Sequence, residues 1–414
     1  MDLTDRKLFS LDPNADPGEE ATQLRAQGPL VPVELPGGVA AWAATDFATA
    51  KAVFCHEDLT KDPEHWPALQ AGRIPDDWEL IVLVRGAAML HEGGDDHRRL
   101  RQLVSSAFNR APIEALRPRI EEIANELLDA LDSPDPGEPV DLRELFAYPL
   151  AVRVICEVLS VPDTVVSELR HRFDRLVTPQ DGATGEADIR TAVADIHRSL
   201  SALIAIKRTD PGDDLTTALI RARDDGDRLS EQELVETLFL ILIAGHETTI
   251  NSITNTVHAL LQNPAMLAVA RDADDDRTWA AVVEEGLRFS SPVRHALMRY
   301  AVKDTEIAGV QVAEGDPVIA SLVAAGRDPS RHENAEDFDV TRPTSREHVA
   351  FGFGAHYCLG ARLAKLETEI ALATLFSRYP GLTPASDPDR LCSIPLQGFE
   401  ALPVYLHADE RTRP

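Results

Sequence analysis

Residues 351–360 read Phe351-Gly352-Phe353-Gly354-Ala355-His356-Tyr357-Cys358-Leu359-Gly360. Glycines at 352, 354 and 360 describe a tight backbone that passes close to something. A segment of helical period, Ala361–Arg378, follows at once. Cys358 therefore stands at a helix start, where backbone N–H groups stabilise a thiolate and lower its pKa. Taken alone, these residues also allow a buried structural cysteine beside a turn, or a zinc site built from His348, His356 and Cys358. The spacing matches none of the usual finger patterns, and no fourth ligand is evident.

Toward the N-terminus lies the longest helical pattern. Ser230-Glu231-Gln232-Glu233 is a capping box that starts a helix. The pattern continues without proline to Asn263-Pro264, a rise of about 48 Å at about 1.5 Å per residue. Its middle is apolar all round and is expected to be buried. Within it, Ala244-Gly245-His246-Glu247-Thr248-Thr249 sets a glycine, an acid and an alcohol in one turn. An interior glycine costs about 1 kcal/mol relative to alanine. A buried carboxylate must be paired or protonated. Thr248 can also bond back to the Ala244 carbonyl, which would explain it as a helix bend. A third pattern, Glu285-Gly286-Leu287-Arg288, spaces an acid and a guanidinium as an intrahelical pair.

The remainder is mainly helical with a minor β part. Leu30–Glu34 and Val39–Trp42 flank the turn Pro36-Gly37-Gly38 and predict two strands. Residues 61–95 hold no steady period and read mostly as loop. Helical spacing covers His97 to about Leu131, Leu145–Leu159, Thr164–Leu176, Ala187–Lys207 and Trp279–Phe289. Residues 292–345 read as short strands and turns, and Leu402–Leu406 as a strand. With 44% hydrophobic and 27% charged residues, the chain can bury a large core.

Composition removes several function classes. The chain has 414 residues, and 41 basic against 69 acidic side chains leave a formal charge of −28. Phosphate backbones and anionic lipid are repelled by such a chain, so no nucleic-acid or membrane partner is expected. The four cysteines, Cys55, Cys156, Cys358 and Cys392, are scattered and form no CxxC pair. That points to a reducing compartment, and with no secretory signal visible, to the cytoplasm. No run of apolar residues is long enough for a membrane span.

The three patterns, in this order, resemble the cytochrome P450 superfamily, and most closely its soluble bacterial, actinobacterial type. They match a heme-thiolate signature of the form FGxGxHxCxG, an AGxET oxygen-activation motif and an ExxR pair. His97-Arg98-Arg99-Leu100-Arg101 and Ala325-Gly326-Arg327-Asp328-Pro329 extend the resemblance, which covers essentially the whole chain. It implies one mainly α domain over residues 1–414, with the cytochrome P450 fold around a buried heme b. Its β-rich parts would lie at about 28–60 and 292–345 plus the C-terminal strands, and its helical core at about 95–290 and 359–378.

The resemblance also implies roles. Cys358 matches the proximal thiolate ligand, with Phe351, Gly352 and Gly360 shaping its loop. His97, Arg101, Arg299 and His356 match positions that hold the heme propionates. Thr248 and Glu247 match the alcohol–acid pair that delivers protons during oxygen activation, while Ala244 and Gly245 leave room beside the heme. Glu285 and Arg288 match a structural ion pair. Met89, Leu240, Val293, Arg294, His295 and Phe399 are candidate substrate contacts, with Arg294 or His295 expected to anchor a polar group.

The implied activity is a monooxygenase inserting one oxygen atom from O2 into a lipophilic small molecule: a steroid, a macrolide or other polyketide, or another secondary metabolite. Oxidative C–C or C–N coupling of aromatic or cyclic-dipeptide substrates is the enzymatic alternative, and a heme-binding sensor the non-enzymatic one. Electrons would come from NAD(P)H through a separate ferredoxin and ferredoxin reductase, to a monomeric enzyme. Because a ferredoxin is usually acidic, a −28 chain needs a local basic patch, expected from Arg98, Arg99, Arg110, Arg362 and Lys365.

Overall fold

The computed structural model describes residues 3–407 except 86–87, 92, 106–107, 132–136, 162–185, 213, 225–229 and 273–275. The helices that matter for the site are α1 (Pro17–Arg25), α2 (Phe47–Cys55), α3 (Ala88–His91), α4 (Gly94–Ser105), α5 (Arg117–Leu131) and α6 (Tyr148–Leu159). They continue with α7 (Glu186–Thr209), α8 (Glu231–Gln262), α9 (Asp276–Phe289) and α10 (Ala361–Arg378). The strands of the principal sheet are β1 (Phe9–Ser10), β2 (Leu30–Leu35), β3 (Val39–Ala44), β4 (Leu59–Thr60), β5 (His295–Ala301) and β6 (Pro317–Ser321).

Helix α8 begins as its sequence dictates. Ser230 accepts from the Glu233 N–H while the Glu233 side chain accepts from the Ser230 N–H. It runs 32 residues and packs against α6, α7, α9 and α10, with Leu234, Leu238, Leu242, Ile250 and Ile253 in the main core. Between Glu233 and Leu261 the only exposed position is Ala244.

The six strands lie in the order β1-β2-β3-β6-β5-β4. The expected β2–β3 pair is antiparallel, Leu30 facing Ala44 and Leu35 facing Val39, and Gly37 takes φ 74° in the turn. β4 runs antiparallel to β5, with Leu59 opposite Ala301 and Thr60 opposite Tyr300. Lys61 follows directly after β4.

Two sequence expectations change. The segment 61–95 is not mostly loop: it holds short helical turns at Pro63–His65, Pro67–Gln70 and Ile81–Val84 and the helix α3. Elements of three or four residues are too short to display a period, so the pattern could not announce them. The helix expected from Leu145 begins instead with a π turn, Arg143–Ala147, before α6. The helix expected at Thr164–Leu176 lies outside the described residues.

Candidate active site

The loop ahead of α10 is built around its cysteine. Gly352 and Gly354 adopt φ 70° and 74°. A Cβ on Gly354 would sit 2.8 Å from the Cys55 Sγ at the end of α2, so the turn requires glycine twice over. The Cys358 N–H donates to the Phe351 carbonyl at 2.9 Å, and Arg101 on α4 donates to the Tyr357 carbonyl at 2.6 Å. Solvent reaches Cys358, yet protein surrounds its sulfur closely, and that burial pushes the thiol pKa up. The Gly360 and Ala361 N–H groups and the Arg101 charge oppose it, which is the arrangement that holds a thiolate once a cation is present. His348 does not join a zinc site: its Nε2 lies 3.1 Å from Glu284 Oε2. Among the described residues no group of three His, Cys, Asp or Glu side chains could hold a metal ion.

Beside this loop the structure gathers His97, Arg101, Arg299 and His356, the four positions named from the sequence. The His97 and His356 rings lie 4.0 Å apart. Arg299 is buried on β5 with its guanidinium 4.7 Å from the centre of the Phe54 ring, and burial lowers its pKa to about 10. Burial, followed by the charges of His97, Lys61, Arg299 and Arg101, pulls His356 down to about 2. Sequence reasoning missed Lys61, which stands in this same cluster. It had no signal beyond being one of only six lysines. Among the described residues none of these five basic groups forms an ion pair with a carboxylate.

On α8 the expected acid and alcohol are close in sequence but do not bond to each other. Glu247 accepts from Arg143 Nη2 at 2.7 Å and from Asn251 Nδ2 at 3.3 Å, and Arg143 Nη1 donates to Asn251 at 2.8 Å. Its Oε2 is buried with no hydrogen-bond partner. Arg143 sits in the π turn, whose unusual geometry the sequence did not show. Thr248 donates to the Ala244 carbonyl at 2.9 Å, the back-bond anticipated as its alternative explanation. Half-buried Leu240, exposed Ala244 and half-buried Thr248 follow at four-residue spacing and form one open stripe. Gly245 does not serve that stripe. A Cβ there would meet Ile155 Cδ1 on α6 at 2.9 Å, so the glycine also lets α8 and α6 pack closely.

Of the candidate substrate contacts, Met89 lies half-buried on α3, which packs on α8, and half-buried Val293 bridges Leu396. Arg294, His295 and Phe399 are engaged within the protein. Arg294 is buried against Glu20 of α1 at 2.8 Å and also donates to the Asp12 carbonyl at 3.1 Å. His295 Nε2 lies 3.1 Å from the same Glu20. Burial alone would raise the Glu20 pKa, but His295 and Arg294 together hold it below the usual range, while burial lowers that of His295. Glu20 thus engages both the Arg294 and the His295 side chains. Phe399 is buried against the His258 ring, 4.7 Å away.

The basic patch is also narrower than expected. Arg98 pairs with Asp95, Arg99 with Glu233 at 2.6 Å and Lys365 with Glu284 at 2.9 Å. Arg110 and Arg362 are exposed, and neither forms an ion pair among the described residues.

A heme fits these residues. Its two carboxylates answer a buried cluster of basic groups that has no acid of its own, and its metal answers a cysteine sulfur already flanked by two N–H groups. Known proteins agree. The family model described as Cytochrome P450 matches residues 186–273 and 278–395. The 2-hydroxy-5-methyl-1-naphthoate 7-hydroxylase of Streptomyces carzinostaticus is 40% identical over 96% of this chain and 97% of its own. The 6-deoxyerythronolide B hydroxylase of Saccharopolyspora erythraea is 37% identical over 93% and 94%. The solved structure of CYP154A1 from Streptomyces coelicolor A3(2) superposes with a TM-score of 0.86 at 41% identity, covering 96% of this chain and all of that one. The chain belongs to the cytochrome P450 superfamily: it is a heme-thiolate monooxygenase that uses O2 and NAD(P)H-derived electrons delivered through redox partners.

Proposed function

We propose that this enzyme hydroxylates or epoxidises a lipophilic secondary metabolite of polyketide, macrolide or steroid type. The observation that carries the reading is the apolar set Met89, Leu240 and Val293. Met89 stands on α3, which packs on α8, the helix that carries Leu240 and the acid–alcohol pair. Met89, Leu240 and Val293 would supply apolar contact and little directional polarity, which suits a hydrocarbon-rich substrate. The names of the relatives point the same way, since they are hydroxylases of a naphthoate and of 6-deoxyerythronolide B. They do not favour oxidative coupling.

When bound, the heme supplies the oxygen-activating metal centre. The chain holds the Cys358 thiolate through the Gly360 and Ala361 N–H groups and excludes bulk water with α8. Thr248 and Glu247 would hold the protons. Delivery would require Thr248 to turn from the Ala244 carbonyl and Glu247 to loosen from Arg143, since both are engaged at 2.9 Å and 2.7 Å. A ferredoxin, reduced by its own reductase in the cytoplasm, would dock through Arg110 and Arg362 on a monomeric enzyme.

The test is a screen of polyketides, macrolactones and steroids for substrate-induced spin-state shifts, followed by product mass. A gain of one oxygen supports the reading. A dimer lacking two hydrogens would replace it with coupling.

A further inference from the structure

We propose that Lys61 is a cofactor-binding residue, a fifth basic side chain whose ammonium leaves the Leu297 carbonyl to pair with a heme propionate. The proposal rests on the heme, not on the substrate reading above, and either can fail without the other.

Three observations carry it. Lys61 is buried, with a side chain whose one hydrogen bond goes to the Leu297 carbonyl at 3.0 Å. No carboxylate pairs with it among the described residues. A lone buried ammonium costs several kcal/mol, and a carbonyl does not neutralise it. Its position then sets a second charge beside it. β4 and β5 pair Leu59 with Ala301 and Thr60 with Tyr300, Lys61 follows directly after β4, and the charge of Arg299 acts on it. Two like charges this near, out of water, are unfavourable unless an anion lies between them. Third, the charge of Lys61 acts on His97, whose ring lies 4.0 Å from that of His356, so Lys61 stands beside the cluster matched to the propionates.

Burial and the Arg299 charge together lower the Lys61 pKa to about 7. The nearest carboxylate in sequence, Asp62, is turned away to accept from the Glu64 N–H at 2.9 Å. The acid on β5's other side, Glu20, is held by Arg294 and His295.

Heme transfer from the holoenzyme to excess apomyoglobin tests this directly. K61M and K61Q should lose heme at least about tenfold faster than the parent, the loss of one buried charge-assisted hydrogen bond. Both should keep the red-shifted Soret band of the reduced carbon-monoxide complex, because the thiolate is untouched. K61R, which keeps the charge, should stay within about threefold of the parent. The reduction potential of K61Q should shift negative as a positive charge leaves the propionate. An unchanged transfer rate in K61Q overturns the proposal. So does a K61R enzyme that sheds heme as fast as K61Q, since packing rather than charge would then be at work.

Discussion

Two buried clusters of charge in this protein stand in opposite states. Around Arg288 every group is answered. Glu285 binds it at 2.8 Å through both oxygens, and Arg288 also donates to the carbonyls of Gly326, Ala335 and Asp337. Arg342 adds a second guanidinium on Glu285 at 3.2 Å, and the Asp339 N–H donates to the same oxygen at 2.9 Å. Around Arg299, by contrast, Lys61, His97, Arg101 and His356 bring further basic groups and no acid. The first cluster is completed by folding; the second would be completed by the cofactor's carboxylates. Both are buried, so burial does not distinguish structural charge from binding charge. What distinguishes them is whether the chain supplies the counter-charge.

That contrast can be broken by substitution. R288A should have the largest effect, removing the bidentate partner of buried Glu285 and the donor to three carbonyls at a cost of about 3–5 kcal/mol, with little folded holoenzyme recovered and a lower thermal midpoint. R294A removes the guanidinium from buried Glu20 and should lose about 3 kcal/mol, while substrate-induced spin-state shifts in the enzyme that folds stay unchanged. A substrate-binding defect without a stability loss would return Arg294 to the pocket. R299A should behave as the second cluster requires: folded protein, and heme loss to apomyoglobin faster by about tenfold or more.

Glu367 sharpens the comparison from a third side. It lies on α10, fully enclosed, with Oε1 lacking a partner, and burial pushes its pKa up to about 8. Its folded pKa is above the unfolded value of 4.5, so the folded form keeps a proton that the unfolded form releases. Its contribution is therefore greatest below about pH 4.5 and declines as pH rises toward 8. The decline is about 1.4 kcal/mol per pH unit. E367Q should flatten that slope in thermal melts between pH 5 and pH 8. The smallest effect belongs to the surface. R362E should slow ferredoxin-dependent reduction by up to about tenfold at low salt, and R99E should do less because Arg99 already faces Glu233.

Much of this was legible before folding. The capping box of α8, its stop at Asn263-Pro264 and the helix after Gly360 appear where local chemistry sets them, because caps, prolines and glycines act on neighbouring backbone. The short turns in 61–95 and the π turn at Arg143 were not legible, since each depends on what packs over it. Gly245 shows the limit within a single motif: its place was readable, but its close contact with Ile155 on another helix was not.

By itself, then, the sequence determined the thiolate loop, the long helix and the family, all features written in contiguous residues with fixed spacing. The tertiary structure decided the charges. Arg294 meets Glu20 from 274 positions away, Glu247 meets Arg143 from 104, and the charge of Arg299 acts on Lys61. An ionic group's role depends on what lies within a few ångströms once water is excluded, and only the fold sets that distance.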